Sequence, residues 1–362
     1  MAELGFRVLI AAPVIVFLFL VLGAVVALLA ILRREHPDVL DAVVGASLFV
    51  LFGALVIWAA IEARQYLVTG IIVGSIIALG ALGITLIYGI LKFAHFAHGD
   101  MMMFGAYIAL AALVGGGSIG PLSFGWGMIF AMFVSLAVLG VGSIAIDRVV
   151  YRPLRRRGSG TVVLAIASLG VAIVLRAIML LWWGPDQQLY VSGIHPAREF
   201  PFDIMLKPDQ IFIVATAFLL MAMVYLLLFR TKMGKAMRAM SDNAELARVA
   251  GIDTEQVVMW TWIIGGALAA VAGILLGIQS NMKPELGFTL LLPLFAGAVL
   301  GGLGSPQGAL VGAMIVGISQ EVFVGIDLPF PPFGVPGYKP AVAFSILILI
   351  LLVRPRGLFG KT

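Results

Sequence analysis

Long apolar stretches separated by short polar segments fill almost the whole chain of 362 residues. A helix needs about 20 apolar residues to cross a bilayer, and fewer where it is broken or buried in a bundle. The pattern predicts an all-α, polytopic helical membrane protein with about eleven spans, including short or broken helices. The predicted spans are residues 8–32, 39–61, 67–91, 101–115, 126–146, 161–183, 210–229, 256–279, 289–303, 308–325 and 340–353.

The composition supports a membrane location. The chain is 62% hydrophobic and 11% charged, whereas a soluble domain is about half apolar and about a quarter charged. The excess apolar surface must face lipid or other buried helices. The formal net charge of +5 does not require a nucleic-acid partner, because Lys and Arg collect in the cytoplasmic loops of membrane proteins. The absence of Cys excludes disulfides and thiolate metal sites.

Basic residues predict the orientation of the bundle. They cluster in segments 148–157 and 230–248, in the tail from Arg354, and at Arg33 and Arg34, whereas the alternate loops contain few. Because Lys and Arg mark cytoplasmic loops, these segments should face the cytoplasm. The C-terminus is then cytoplasmic and the N-terminus lies outside.

Small residues recur along the predicted helix 256–279. Gly265, Ala269, Gly273 and Gly277 are spaced by four, so they share one helix face. Such a face lets another backbone come close. It indicates either ordinary helix packing or an interface that moves during transport.

Two segments interrupt the apolar pattern with Gly and polar residues, Tyr88–Asp100 and Leu300–Gly308. Paired breaks of this kind indicate a substrate route, because unwound backbone is tolerated in a membrane only where protein or water satisfies it. The candidate pathway residues are Tyr88, His95, Phe96, His98, Gly99, Asp100, Gly301, Gly302 and Gly304.

His95, His98 and Asp100 allow three interpretations. They bind or gate the ligand, they satisfy unwound backbone, or they hold a metal ion. The metal is disfavoured, because Asp100 would not share the helical face of His95 and His98 and the ligands are too few. We therefore expect no metal and no other cofactor. The sequence also lacks GxxxxGK[ST], so the chain cannot hold ATP in a P-loop.

Arg176 lies inside the predicted span 161–183. A charge at the bilayer centre costs about 2.5–3.5 kcal/mol on insertion scales, which makes an intramembrane Arg a functional candidate. It either extends outward to the headgroups or contacts a substrate carboxylate. Glu321, near the outer end of its span, either pairs with Arg176 or faces an outer vestibule.

Three stretches resemble the membrane permeases of branched-chain amino-acid ABC importers, closest to the first of their two related permease subunits. They are residues 83–109, with Phe96-Ala97-His98-Gly99 followed by an acid, residues 147–155, and residues 230–277 with 298–305. The resemblance covers roughly residues 66–358. It leaves residues 1–65 as an N-terminal extension with one or two extra helices. His95 departs from the Asn expected in the family.

The resemblance implies a transport subunit, not an enzyme, that moves a branched-chain or related small amino acid into the cytoplasm across a bacterial inner membrane. The implied partners are a second homologous permease subunit, two cytoplasmic ATP-binding subunits that hydrolyse ATP, an extracytoplasmic substrate-binding protein and membrane lipid. One alternative is a urea or short-amide permease. Another is an ion-coupled secondary transporter, a class that usually keeps a carboxylate near mid-membrane.

The segment Gly234–Gly251 contains a predicted short cytoplasmic helix. Ser241 or Asp242 can cap it, and Gly251 can end it in the left-handed conformation. The resemblance implies a coupling helix that sits in a cleft of the ATPase, whereas an amphipathic helix at the headgroups is the alternative. The apolar docking face would be Ala244, Leu246, Ala247, Val249 and Ala250, and the candidate coupling residues are Ser241, Asp242, Glu245, Leu246, Ala250 and Gly251.

Overall fold

The computed structural model describes residues 37–113, 118–190, 197–325, 336–354 and 356–360. The predicted span 8–32 lies outside these residues, as do Arg33 and Arg34. The described chain is mostly helical. Its helices are α1 (Pro37–Glu62), α2 (Arg64–Leu91), α3 (His98–Ala112), α4 (Trp126–Ile146), α5 (Arg152–Arg156), α6 (Thr161–Trp183), α7 (Pro208–Arg230), α8 (Lys232–Asp242), α9 (Ala244–Val249), α10 (Thr254–Gln279), α11 (Leu286–Gly301), α12 (Pro306–Val324) and α13 (Lys339–Val353).

Each predicted span in the described part of the chain coincides with a helix, and the predicted and observed ends differ by a few residues at most. Six helices there are long and apolar enough to cross a membrane: α2, α4 continued through α5, α6, α7, α10 and α12. That number does not support the predicted count of about eleven spans. α3 and α13 have 15 residues each and α11 has 16, a length of about 22–24 Å against a hydrocarbon core of about 30 Å.

The basic segment predicted as a loop after α4 is largely helical. α4 continues through a π-helical turn, Asp147–Tyr151, directly into α5. Arg155 and Asp147 form an ion pair across this turn, with Nη1 and Oδ1 2.7 Å apart. The ion pair compensates the charge of Arg155, one of the arginines for which the segment was predicted to be a loop.

α2 and α10 form the centre of the bundle. α2 is buried along most of its length and packs against α10, α11 and α12, while α10 also packs against α3 and α4. The small residues of α10 allow this approach, since a methyl group on Gly273 would fall on the carbonyl of Met102. α4, α6 and α7 instead expose large apolar side chains outward, as expected of helices that face lipid.

The predicted loop 184–209 contains a small hairpin that an all-α description omits. β1 (Arg198–Phe200) pairs antiparallel with β2 (Ile204–Leu206). The Gln65 side chain makes two hydrogen bonds to the backbone of Met205, each 3.0 Å long. The start of α2 thus holds the hairpin.

Candidate functional site

The first break follows α2 and comprises residues 92–97. Lys92 is in the left-handed conformation at φ 57°, and its N–H donates to the carbonyl of Tyr88. The chain stays irregular until His98 begins α3. The N–H of Phe96 donates to Ser168 Oγ of α6 at 3.0 Å. A neighbouring helix therefore satisfies part of the unwound backbone, as the sequence analysis proposed for such a segment.

His95 and His98 belong to a buried aromatic cluster. His95 Nε2 and Tyr151 Oη are 3.1 Å apart, and the Tyr151 ring stacks on Trp262 with centroids 5.0 Å apart and an interplanar angle of 6°. The two histidine rings are 5.8 Å apart. His95 precedes α3, so the prediction that the two histidines share one helical face is wrong. Among the described residues, no group of three or more His, Asp or Glu side chains could hold a metal ion.

Asp100 and Arg176 form a bidentate ion pair inside the bundle. Arg176 Nε and Nη2 lie 2.9 and 3.0 Å from the two carboxylate oxygens. The Asp100 side chain is 0% exposed and that of Arg176 is 24% exposed. The guanidinium also lies over the Phe288 ring, 5.1 Å from its centroid. The predicted outward extension of Arg176 is therefore wrong, because its charge is compensated inside the bundle.

Glu321 pairs with Lys339 and not with Arg176. Lys339 Nζ is 2.7 Å from each carboxylate oxygen, which ties α12 to the start of α13. The other buried carboxylates among the described residues also have partners: Asp100 with Arg176, Asp147 with Arg155, and Asp209 with the N–H of Ser123 at 2.8 Å.

The second break comprises residues 302–305, between α11 and α12. Gly302 and Gly304 have φ of 106° and 89°, values that L side chains rarely adopt. Ser305 Oγ accepts from the N–H of Gly308 and caps α12. At the end of α11, the carbonyls of Leu300 and Gly301 accept N–H groups from Leu358 and Phe359 at 2.8 and 3.0 Å. The C-terminal tail thus satisfies carbonyls that a helix end leaves free.

The two breaks approach each other beside α8, at a place we call the junction (Gly89, Lys92, Ser241 and Gly304). A methyl group built on Gly89 would lie 3.3 Å from Ser241 Oγ and 3.7 Å from Gly304 Cα. Lys92 Nζ donates to the Ser241 carbonyl at 2.7 Å. Ser241 was predicted as a coupling residue and Gly304 as a pathway residue, whereas Gly89 and Lys92 were included only as members of the break Tyr88–Asp100. The signal for Lys92 was a basic residue at the first position after a long apolar helix.

The coupling segment is two helices, α8 and α9, separated by Asn243. Asn243 Oδ1 accepts the N–H groups of Glu245 and Leu246 at 3.1 and 3.0 Å. The prediction that Ser241 or Asp242 caps the short helix is therefore wrong, since both residues end α8. The predicted left-handed end is confirmed, because Gly251 has φ 85°.

The outer surface of α9 presents two large apolar side chains next to the charged Glu245 and Arg248. Leu246 and Val249 are 66% and 86% exposed, whereas Ala247 is 4% exposed. Ala247 packs inward and does not belong to the predicted docking face. Glu245, Ala250 and Gly251 are exposed, so they are accessible to a partner.

A polar cavity of about 440 Å³ lies at the opposite end of the bundle from α9. Tyr190 and Asp209 line it, together with the end of α10 at Gln279 and Ser280. Burial raises the pKa of Tyr190 well above its ordinary value, and its hydroxyl donates to the Ala106 carbonyl at 2.8 Å. None of the nine predicted pathway residues lines this cavity. This cavity was not predicted from the sequence, because its polar residues come from separate loops and helix ends.

Comparison with known proteins gives a consistent assignment. Residues 66–353 match the family described as branched-chain amino acid transport system / permease component. The high-affinity branched-chain amino acid transport system permease protein BraD of Pseudomonas aeruginosa is 37% identical over 302 residues, covering 82% of this chain and 95% of BraD.

Two further relatives extend the comparison. The corresponding permease protein LivH of Escherichia coli K12 is 33% identical over 306 residues, with 82% of this chain and 95% of LivH covered. A probable LivH of Methanocaldococcus jannaschii is 31% identical over 304 residues, with 82% of this chain and 92% of the relative covered. The chain belongs to the family of branched-chain amino acid transport permeases.

Proposed function

We propose that this chain is the permease subunit of an ABC importer that carries branched-chain amino acids into the cytoplasm. The observation that carries the proposal is the match to nearly the whole length of BraD and LivH, which are named for that transport. These relatives favour an amino acid over urea or a short amide. The paired state of Asp100, Asp147, Asp209 and Glu321 argues against an ion-coupled transporter, which needs a carboxylate available for its ion.

The proposed assembly contains a second homologous permease, two cytoplasmic ATP-binding subunits that hydrolyse the ATP, and an extracytoplasmic binding protein. The chain would lie in the bacterial inner membrane as a multi-pass protein, with the C-terminus cytoplasmic and the N-terminus outside. Residues 66–358 would form the transport domain and residues 1–65 an extension. α3, α11 and α13 would cross only part of the bilayer each. Together with the six long helices, α1 and the predicted span 8–32, they would bring the span count to about eleven.

The coupling segment would dock on an ATP-binding subunit. Leu246 and Val249 offer an exposed apolar face beside Glu245 and Ala250. Movement of α9 would reach the bundle through α8, because Ser241 at its end accepts from Lys92 at the first break. Rigid-body motion transmitted by helices in this way is a common form of switching.

The substrate route is proposed along the two breaks, whose left-handed glycines and irregular backbone differ from the packed spans around them. Its residues remain Tyr88, His95, Phe96, His98, Gly99, Asp100, Gly301, Gly302 and Gly304. Because Asp100 already pairs with Arg176, its role would be to hold the wall of the route in place.

Reconstitution tests the function. The chain, its second permease and both ATP-binding subunits are placed in vesicles with the binding protein, and uptake of leucine is compared with uptake of urea. We expect ATP-dependent leucine uptake that disappears when the ATP-binding subunits are left out. Uptake driven by an ion gradient through this chain alone would reject the ABC importer, and uptake of urea alone would reject the amino-acid substrate.

The Gly251→Val variant tests the coupling role. Gly251 is left-handed at φ 85° with open space around it, so a β-branched residue strains the end of α9 without a clash. We expect substrate to stimulate ATP hydrolysis little in this variant. Gly158→Val is the matched control, because Gly158 has φ 71° and open space but lies outside the segment. Equal stimulation in both variants would argue against the assignment.

A further inference from the structure

Four arginines from two helices line one cavity of about 360 Å³ beside the coupling segment. Arg152, Arg155 and Arg156 come from α5, and Arg248 comes from α9. One acidic residue, Glu255 at the start of α10, lines the same cavity. The wall therefore carries an excess of positive charge.

Internal ion pairs use only part of this charge. Arg155 forms an ion pair with Asp147. Arg152 reaches Glu255 through one terminal nitrogen at 3.0 Å, while its buried Nε has no hydrogen-bond partner. Each of these two guanidinium groups therefore already pairs with a carboxylate of the protein.

Arg156 and Arg248 are both exposed, and no ion pair is found for either in the part of the chain that the structure describes. Both guanidinium groups are therefore accessible to an anion from outside the chain. Guanidinium groups suit phosphate, because their fork of N–H donors matches its oxygens.

The floor of the cavity strengthens that attraction. Ile90, Leu91, Met240 and Val258 line it, and each is less than 9% exposed. A charge next to such a floor interacts more strongly with its partner than it would in open water.

The cavity lies at the level where the apolar spans stop. α2 ends at Leu91, α5 ends at Arg156 and α6 begins at Thr161. Large apolar side chains stand outward close by in sequence, with Val149 76% and Val162 69% exposed. A ligand with a phosphate and acyl chains fits this combination of arginines and an adjacent lipid-facing surface.

We propose that this cavity binds the phosphate of an anionic phospholipid in the cytoplasmic leaflet. The proposal rests on the cytoplasmic orientation given under the proposed function. Because Arg248 lies on α9, a bound headgroup would tie the coupling segment to α5 and to the membrane. A concave site with an apolar floor favours a lipid over the flat acidic surface of a partner protein.

Native mass spectrometry of the full chain in neutral detergent tests the proposal, with phosphatidylglycerol, phosphatidylcholine and inorganic phosphate as probes. The Arg156→Gln/Arg248→Gln variant should bind phosphatidylglycerol about 10- to 30-fold more weakly, since each arginine near an anionic surface contributes about a factor of 10 or less. Arg157→Gln/Arg230→Gln is the matched control, because it removes the same charge from exposed positions that do not line the cavity. It should change binding less than about 3-fold.

The conservative Arg156→Lys/Arg248→Lys variant should keep most of the affinity, which separates lost charge from lost folding. Equal weakening in the two glutamine variants would overturn the proposal. So would binding of inorganic phosphate alone with the same arginine dependence. The glutamine variant Arg156→Gln/Arg248→Gln is also tested for assembly with the ATP-binding subunits in pure phosphatidylcholine. If it fails to assemble but binds phosphatidylglycerol as the native chain does, the arginines bind a partner protein instead.

These results are independent of the transport assay. Lipid binding is measured on the permease alone, without ATP or amino acid, so failure of transport with intact lipid binding would reject only the proposed function. The orientation is tested separately by labelling an Arg157→Cys variant with an impermeant maleimide in inverted and right-side-out vesicles. Labelling only from the external face would overturn the cytoplasmic leaflet.

Discussion

Side chains from neighbouring segments hold the first break, whereas the second is held mainly by backbone groups. At residues 92–97, His95 meets Tyr151 and Phe96 donates to Ser168. At residues 302–305, the left-handed glycines turn the chain, and tail amides reach the carbonyls of Leu300 and Gly301. Both arrangements satisfy unwound backbone inside a bundle, but they depend on different parts of the residues involved.

The difference predicts different sensitivities to substitution. When one residue of the first break is substituted, only its own side-chain contact is lost, and the other contacts of that break remain. The second break depends on close backbone approach, which any added side chain prevents. Four substitutions or truncations sharpen this comparison, beginning with the largest expected effect.

Gly301→Val should abolish folding of the second break. A Cβ on Gly301 would overlap the carbonyl of Gly308 on α12, and neither backbone can move without opening the α11–α12 contact. Overpacking typically costs about 1–3 kcal/mol, and an overlap with backbone, which cannot rotate away, should exceed that range. We expect little folded protein by size-exclusion chromatography. The control Gly142→Val, at a helical glycine with open space, should behave like the native chain, and equal yields would contradict the close approach.

Arg176→Gln should destabilise the protein next most strongly. It leaves the fully buried Asp100 carboxylate without its partner, and breaking a buried pair costs about 3–5 kcal/mol. Asp100→Asn should cost less, because the remaining Arg176 is 24% exposed and can reach water. Thermal unfolding in detergent measures both. The double variant should recover part of the loss, and a larger effect of Asp100→Asn would contradict the assigned burial.

Ending the chain at Arg356 should loosen the second break. It removes the N–H donors of Leu358 and Phe359, at about 1 kcal/mol for each hydrogen bond. Hydrogen exchange of the amides at 302–305 should become faster. A chain that ends at Gly360 keeps both donors and serves as the control. Unchanged exchange in the shorter chain would mean that the tail does not hold the break.

Tyr151→Phe should have the smallest effect. It removes the hydroxyl near His95 but keeps the ring stacked on Trp262. The loss of one hydrogen bond should lower the unfolding free energy by about 1 kcal/mol. Tyr225→Phe, on the exposed face of α7, is the control for loss of a hydroxyl. A loss of several kcal/mol would show that the first break is as intolerant as the second.

Much of the helical architecture was predictable from sequence, because apolar length is a strong local signal. The ends of α6 and the left-handed Gly251 were predicted correctly. The continuation of α4 into α5 was not, because its arginines resemble a loop until Asp147 is seen to pair with Arg155. Sequence position also did not identify the cap of α9, since Ser241, Asp242 and Asn243 are all good capping residues.

The contacts that join distant segments were not predictable. Arg176 and Asp100 are 76 positions apart, and Lys92 and Ser241 are 149 apart. A single sequence offers no rule that selects these partners from the other charged and polar residues. The two breaks were found as interruptions, but their meeting at the junction depends on how α2, α8 and α12 pack.

The tail contact also constrains which changes of chain length the protein tolerates. Leu358 and Phe359 supply backbone amides to the end of α11, so the contact depends on the register of the tail and not on the identity of its side chains. An insertion or deletion of one residue between α13 and Leu358 would shift both donors away from the carbonyls of Leu300 and Gly301, although it would change no residue of either break.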